Sequence, residues 1–223
     1  MKERRMAALS LVLAGLSLPG GCTWLGGEGG LFSGSAPESS PVAQISAPAS
    51  VSHPSLVPLL SPETEQRLLE AKSLWVEEDC VDPARAALLL DGVLEESPNY
   101  ADALIWRGKA LTAQGYLEDA FDDLTRAVRQ LPGKGSAEGA RLRARAYAAR
   151  AYAALRMAQE QGAERDLTSA HEADPSEPSI YLYRGALEFL RGKDAEGCAA
   201  LRKACDLGMC GAQKRAESDG LCR

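Results

Sequence analysis

An all-α chain built from antiparallel helix pairs is what this sequence predicts, and three observations carry the prediction. Residues 101–132 read ADALIWRGKALTAQGYLEDAFDDLTRAVRQLP, with apolar or small side chains at Ala103, Ile105, Trp106, Ala110 and Leu111 and again at Ala120, Phe121, Leu124, Ala127 and Val128. Both sets have the spacing of a helix that buries one stripe. Gly115 separates them, because glycine tolerates the backbone angles of a tight turn, and Pro132 stops the second helix. Pro98 lies 34 residues before Pro132, so the unit recurs.

Gly108, Ala110, Gly115, Ala120, Ala127 and Pro132 resemble the tetratricopeptide (TPR) pattern of small residues and a closing proline. The resemblance implies a right-handed TPR solenoid of about four helix pairs plus a C-terminal capping helix. It further implies a concave groove that binds a protein or peptide, and no catalysis.

The chain opens on a targeting pattern. Lys2, Arg4 and Arg5 precede an apolar run at 6–18, which is too short to span a bilayer as a mature helix. Pro19, Gly20 and Gly21 then lead to Cys22. This resembles a bacterial lipoprotein signal over 1–21, with Cys22 lipidated as the new N-terminus; the alternative is ordinary secretory cleavage with Cys22 incidental. Removing 1–21 takes away Lys2, Glu3, Arg4 and Arg5 and moves the formal charge from −6 to −8. An acidic mature chain argues against nucleic acid as a partner and leaves the lipid as the membrane contact. Thr23 follows the cysteine in place of the aspartate that commonly retains lipoproteins at the inner membrane. The expected location is therefore the outer membrane, facing the periplasm. Residues 22–60 hold the lipid site and a linker of Gly, Ser, Ala and Pro with no helical period. As a flexible coil it would reach roughly 35 Å.

A TPR domain is expected over 61–223. Ser61-Pro62-Glu63 is a helix start, with serine as N-cap and proline in the first turn, and its helix is expected to run to about Glu78. Asp82-Pro83 starts a second helix ending near Pro98, which makes a degenerate first repeat over 65–98. The second repeat is 101–134. The third, 136–177, has an extended Ala- and Arg-rich first helix, and Tyr147, Ala151, Ala163, Leu167, Ala170 and Pro175 keep the register. The fourth, 178–209, carries Tyr181, Gly185, Gly192, Gly197, Leu201 and Ala204. A short helix at about 211–218 closes the array within a cap at 210–223, as terminal units of solenoids do. Arg107, Arg150 and Arg184 recur at one place in successive first helices, and Asp123 and Asp166 at one place in the second helices. They read as ion pairs inside each repeat, or as solvated charges contributing under ~1 kcal/mol each. Ala200 stands where the fourth repeat would carry its acid.

Beyond Cys22, four of the five cysteines fall in the last repeat and cap: Cys198, Cys205, Cys210 and Cys222. Outside the cytoplasm such a cluster reads as a disulfide framework. If Gly208-Met209 turns a helical hairpin, Cys205 faces Cys210 and Cys198 faces Cys222. The stretch KACDLGMC also resembles the cysteine-rich relatives of TPR repeats. Metal binding is the rival, but the paired C-x-x-C knuckles of a zinc site are missing. Cys80 is left over as a buried or free thiol or an intermolecular bridge.

No phosphate loop, no Ser/His/Asp set and no ligand spacing around His53 or His171 points to catalysis, a metal or a cofactor. Glu77-Glu78-Asp79 and Asp122-Asp123 read as solvated helix faces. The expected function is a membrane-anchored TPR adaptor that binds a protein in the periplasm, by analogy of fold within a pilus, secretion or outer-membrane insertion machine. A thiol-redox protein using Cys205 and Cys210 is the alternative. One stripe of each first helix should line the groove: Trp75, Ile105, Lys109, Arg145, Tyr152, Arg156, Leu182 and Phe189. The competing reading has Tyr152 and Phe189 packed between helices and the arginines merely solvated.

Overall fold

The computed structural model describes residues 60–131 and 135–222. The expected signal, Cys22, the linker and Pro132 lie outside the described residues. Helices follow in pairs: α1 (Pro62–Ser73) with α2 (Pro83–Glu96), α3 (Ala101–Gln114) with α4 (Leu117–Gln130), α5 (Ala137–Arg156) with α6 (Glu160–Ala173), and α7 (Pro178–Leu190) with α8 (Asp194–Asp206). Helix α9 (Gly211–Ser218) packs on α8 as a cap.

Local chemistry sets the boundaries. Ser61 caps α1 through its hydroxyl on the Thr64 amide, and Pro62 fills the first turn where no donor is needed. Asp82 and Pro83 do the same for α2, and Ser136 caps α5. Gly115 ends α3 at φ 92°, a left-handed conformation that glycine adopts without steric cost.

Each helix packs on the next, and each first helix also packs on the first helix of the following pair. Successive second helices make at most marginal contact. The stack is therefore tighter on the side of α1, α3, α5 and α7, which is the inner, concave side of a solenoid. The core is dominated by alanine and leucine: Ala103, Ala110, Ala120 and Ala127, with Leu90, Leu104 and Leu124, are fully buried in the first half. Small side chains let the helix axes approach, and Gly108 shows how closely. A Cβ there would lie 2.6 Å from Cγ of Leu124 on α4. Gly185 meets Leu201 in the same way, again sixteen residues on, so the contact is a feature of the repeat.

The recurrent charges also repeat their geometry. Arg107 holds Asp123 with two parallel bonds, Nε to Oδ2 at 2.6 Å and Nη2 to Oδ1 at 2.8 Å. Arg150 holds Asp166 likewise at 2.8 and 2.7 Å. Each arginine also reaches back to the preceding repeat, Arg107 to Asp91 and Arg150 to Thr125. The planar fork matches a carboxylate bidentately, and the acids are nearly buried, so these pairs are more than solvated surface charges. Bonding to Asp123 raises the Arg107 pKa and bonding to Asp166 raises that of Arg150, so both stay charged. Arg184, which has Ala200 sixteen residues on where the other two have an aspartate, makes no ion pair among the described residues.

One expectation about the first repeat is corrected. Helix α1 does not run to Glu78; it ends at Ser73, and a two-stranded hairpin follows, β1 (Trp75–Val76) antiparallel to β2 (Asp79–Cys80). The register pairs Trp75 with Cys80 and Val76 with Asp79. Glu77 turns the hairpin at φ 56°, a conformation that costs a non-glycine residue free energy and persists only where the surroundings hold it.

Candidate functional site

What holds the hairpin lies on the concave face, across the whole array. Glu78 accepts a hydrogen bond from the Tyr183 hydroxyl of α7 at 2.6 Å and pairs with Lys109 Nζ of α3 at 2.9 Å. Glu77 accepts the backbone N–H of Gly211, at the start of α9, at 2.7 Å. Asp79 pairs with Arg215 of α9 at 3.0 Å. These bonds span 31 to 136 residues of chain and link the first repeat to the second, the fourth and the cap. The three acids thus lie at a turn and not along a helix, each with a partner, and Glu78 is the one largely withdrawn from solvent.

Aromatic rings line the cations beneath the hairpin. Trp75 meets Trp106 edge to face at 4.9 Å, and Lys109 Nζ sits 4.3 Å from the Trp106 ring centre and 5.6 Å from that of Trp75. Arg145 approaches the other side of this cluster, 5.9 Å from the Trp106 ring and 3.4 Å from Glu177. Tyr152 stacks parallel on Tyr183 at 4.9 Å, and its hydroxyl accepts from Arg156, which also donates to the Thr112 carbonyl. Burial, then the charge of Glu78, pushes the Tyr183 pKa well up, so the hydroxyl remains a donor to that carboxylate. Burial also raises Tyr152.

The expected groove residues divide into two groups. Lys109, Tyr152, Arg145 and Arg156 lie on the inner face. Ile105, Leu182 and Phe189 do not line it: they are 0, 3 and 2% exposed and belong to the core. Phe189 packs against Gly197 of α8, where a Cβ would approach its ring to 2.8 Å. Trp75 reaches the face from β1 and not from a first helix. Sequence reasoning missed Trp106, Tyr183, Arg215 and the acids themselves. One signal was present: Pro83 starts α2 twenty-one residues after Pro62, while α4 starts sixteen after α3, so five residues are surplus to the turn.

At the C-terminal end Cys198 is bonded to Cys222, with Cα atoms 5.5 Å apart, and Cys205 to Cys210 at 4.1 Å. They tie α8 to the segment around α9 that receives the hairpin. Cys80 is the free thiol among the described residues, and burial pushes its pKa up to about 11. That direction is opposite to the one an attacking redox thiol needs. Among the described residues no cluster of His, Cys, Asp or Glu has the makings of a metal site, and no helix is long and apolar enough to cross a membrane.

No protein-family model and no curated protein matches this chain. Solved structures do. TTC0263, a thermophilic TPR protein of Thermus thermophilus, is 21% identical with a TM-score of 0.54, over 71% of this chain and 84% of that one. A double mutant of MamA RS-1, ArsTM, is 18% identical with a TM-score of 0.46, over 67% of this chain and 78% of that one.

Proposed function

We propose that this chain, whose fold is the tetratricopeptide-repeat solenoid, is a non-enzymatic scaffold of the bacterial cell envelope that binds another protein on its concave face. The observation that carries the reading is the set of side chains on that face. Arg145, Arg156, Trp106 and Tyr152 are partly exposed there and combine cations, a hydroxyl and aromatic rings, which suits a segment with carboxylates and apolar anchors, while Lys109 and Tyr183 lie buried beside them under the hairpin. A lipid on Cys22 would hold the scaffold at the outer membrane, with the linker giving the domain reach into the periplasm. Assembly of an envelope machine is the kind of work this would serve.

The test is photo-crosslinking in intact cells from a reactive side chain placed at Arg156, with one placed at Leu88 on the outer side as reference. Capture of one protein from position 156 and not from 88 supports the scaffold reading. Absence of any captured protein from either position refutes it. For the anchor, Cys22→Ala should move the protein from the membrane fraction to the soluble periplasm or leave an unprocessed precursor. Unchanged attachment would refute the lipid.

A further inference from the structure

The Trp75–Cys80 hairpin is the most unusual feature of the molecule, and its contacts have the character of a bound ligand. It is a surplus insertion in an otherwise regular helix pair. Its turn adopts an unfavourable left-handed conformation at a glutamate where glycine or asparagine would be at ease. A two-stranded hairpin is marginal on its own, so its placement depends on what its tip binds. Three successive acids, Glu77, Glu78 and Asp79, each find a separate donor: Gly211 N–H, Lys109 with Tyr183, and Arg215. All four donors belong to the concave face or the cap and none to the helix pair that carries the hairpin.

We infer that the hairpin is a built-in occupant of this site, and that the site beneath it takes an acidic segment of a partner protein, whose carboxylates replace those of Glu77, Glu78 and Asp79 when the hairpin swings out. The inference rests on the scaffold reading above and names both the partner chemistry and the gate. Charge complementarity supports it: within an acidic protein, this face gathers Lys109, Arg145, Arg156 and Arg215. The exchange costs little electrostatically, because each donor passes from one carboxylate to another and no cation is left buried and unpaired. The attachment geometry also allows release. The hairpin is joined to the array through short connections at residue 74 and residues 81–82, and Val76 and Val81 on its outer side are exposed.

Cys80, on the second strand, reports the state of the hairpin. Docked, its thiol is half buried with a pKa of about 11 against an ordinary 9.0, so undocking would raise the thiolate fraction at pH 8 by about 100-fold. The experiment uses the mature chain with both disulfides intact and follows alkylation of Cys80 by iodoacetamide, resolved by peptide mapping. Two capped peptides copying residues 75–82 with Cys80→Ser serve as probes, one with the native acids and one with Glu77→Gln, Glu78→Gln and Asp79→Asn. The acidic peptide should accelerate alkylation saturably, by about tenfold or more, and the amide peptide should leave it at baseline. A Glu78→Gln chain should start fast and bind the acidic peptide at least about tenfold tighter than the parent chain. Equal rates with the two peptides overturn the inference. So does undiminished binding of the acidic peptide to a chain with Lys109→Ala and Arg215→Ala. A dimer in which Cys80 is protected by exchange of hairpins between copies also overturns it, since the occupant is then a second copy. Should the peptides fail while photo-crosslinking still captures a protein, the hairpin inference alone falls and the scaffold reading stands.

Discussion

Lys109 and Glu78 form an ion pair 2.9 Å long with the lysine 6% exposed and the glutamate 15%, and two tryptophan rings flank the ammonium. A charge so placed is tolerated only with its partner, because removing one leaves the other desolvated and unpaired. Lys109→Ala should therefore cost about 3–5 kcal/mol. Replacing both, Lys109→Met with Glu78→Leu, should cost far less than the sum of the single changes. Urea unfolding of the four chains in a double-mutant cycle measures the coupling, and additive losses would show that the pair carries no interaction of its own.

Glycine substitutions separate packing from backbone effects. At Gly108 an added methyl meets Leu124 on the partner helix, so Gly108→Ala should destabilise by about 1–3 kcal/mol through overpacking. At Gly92 it meets only the flexible end of Arg67, and the helix interior gains about 0.5–1 kcal/mol from alanine. Thermal unfolding should move in opposite directions for the two variants.

The cap and the first repeat are predicted to be coupled. Breaking Cys198–Cys222 with Cys198→Ser removes a cross-link of the type that stabilises by about 2–4 kcal/mol. In a solenoid this loss should stay local to α8 and α9. Here α9 also holds Glu77 and Asp79, so Cys80 should become more reactive although it lies more than a hundred residues away in sequence. Hydrogen exchange should show faster opening of α9 and the hairpin together, with α3 and α4 unchanged.

Acid should weaken the start of the array. The Thr64 hydroxyl, then the Ser61 amide and hydroxyl, hold the Glu96 carboxyl below its ordinary 4.5. A depressed folded pKa means that its stabilisation is complete above 4.5 and is lost as pH falls through the lower folded value. Glu96→Gln removes this dependence. The stability difference between parent and variant should be present at pH 7 and shrink below pH 4.5, read from urea midpoints; a constant difference would exclude the linkage.

The helix pairs were legible in the sequence by themselves. Caps, turn glycines and the recurring small residues act within a few positions or at a fixed offset of sixteen, so Gly108 against Leu124 and Arg107 against Asp123 repeat wherever the pattern does. Which helical positions face inward was not legible. About 100° separates neighbouring residues on a helix, so a small error in register sends Ile105, Leu182 and Phe189 into the core while Trp106 meets Trp75 and Tyr183 meets Glu78 of the hairpin. The hairpin was decided by tertiary structure alone. Trp75-Val76 suits a strand, but Glu77-Glu78-Asp79 has neither strand propensity nor a turn glycine, so the local sequence does not favour the turn it takes. Its conformation is held by Lys109, Tyr183, Gly211 and Arg215, groups that only the curvature of the folded solenoid brings to one place.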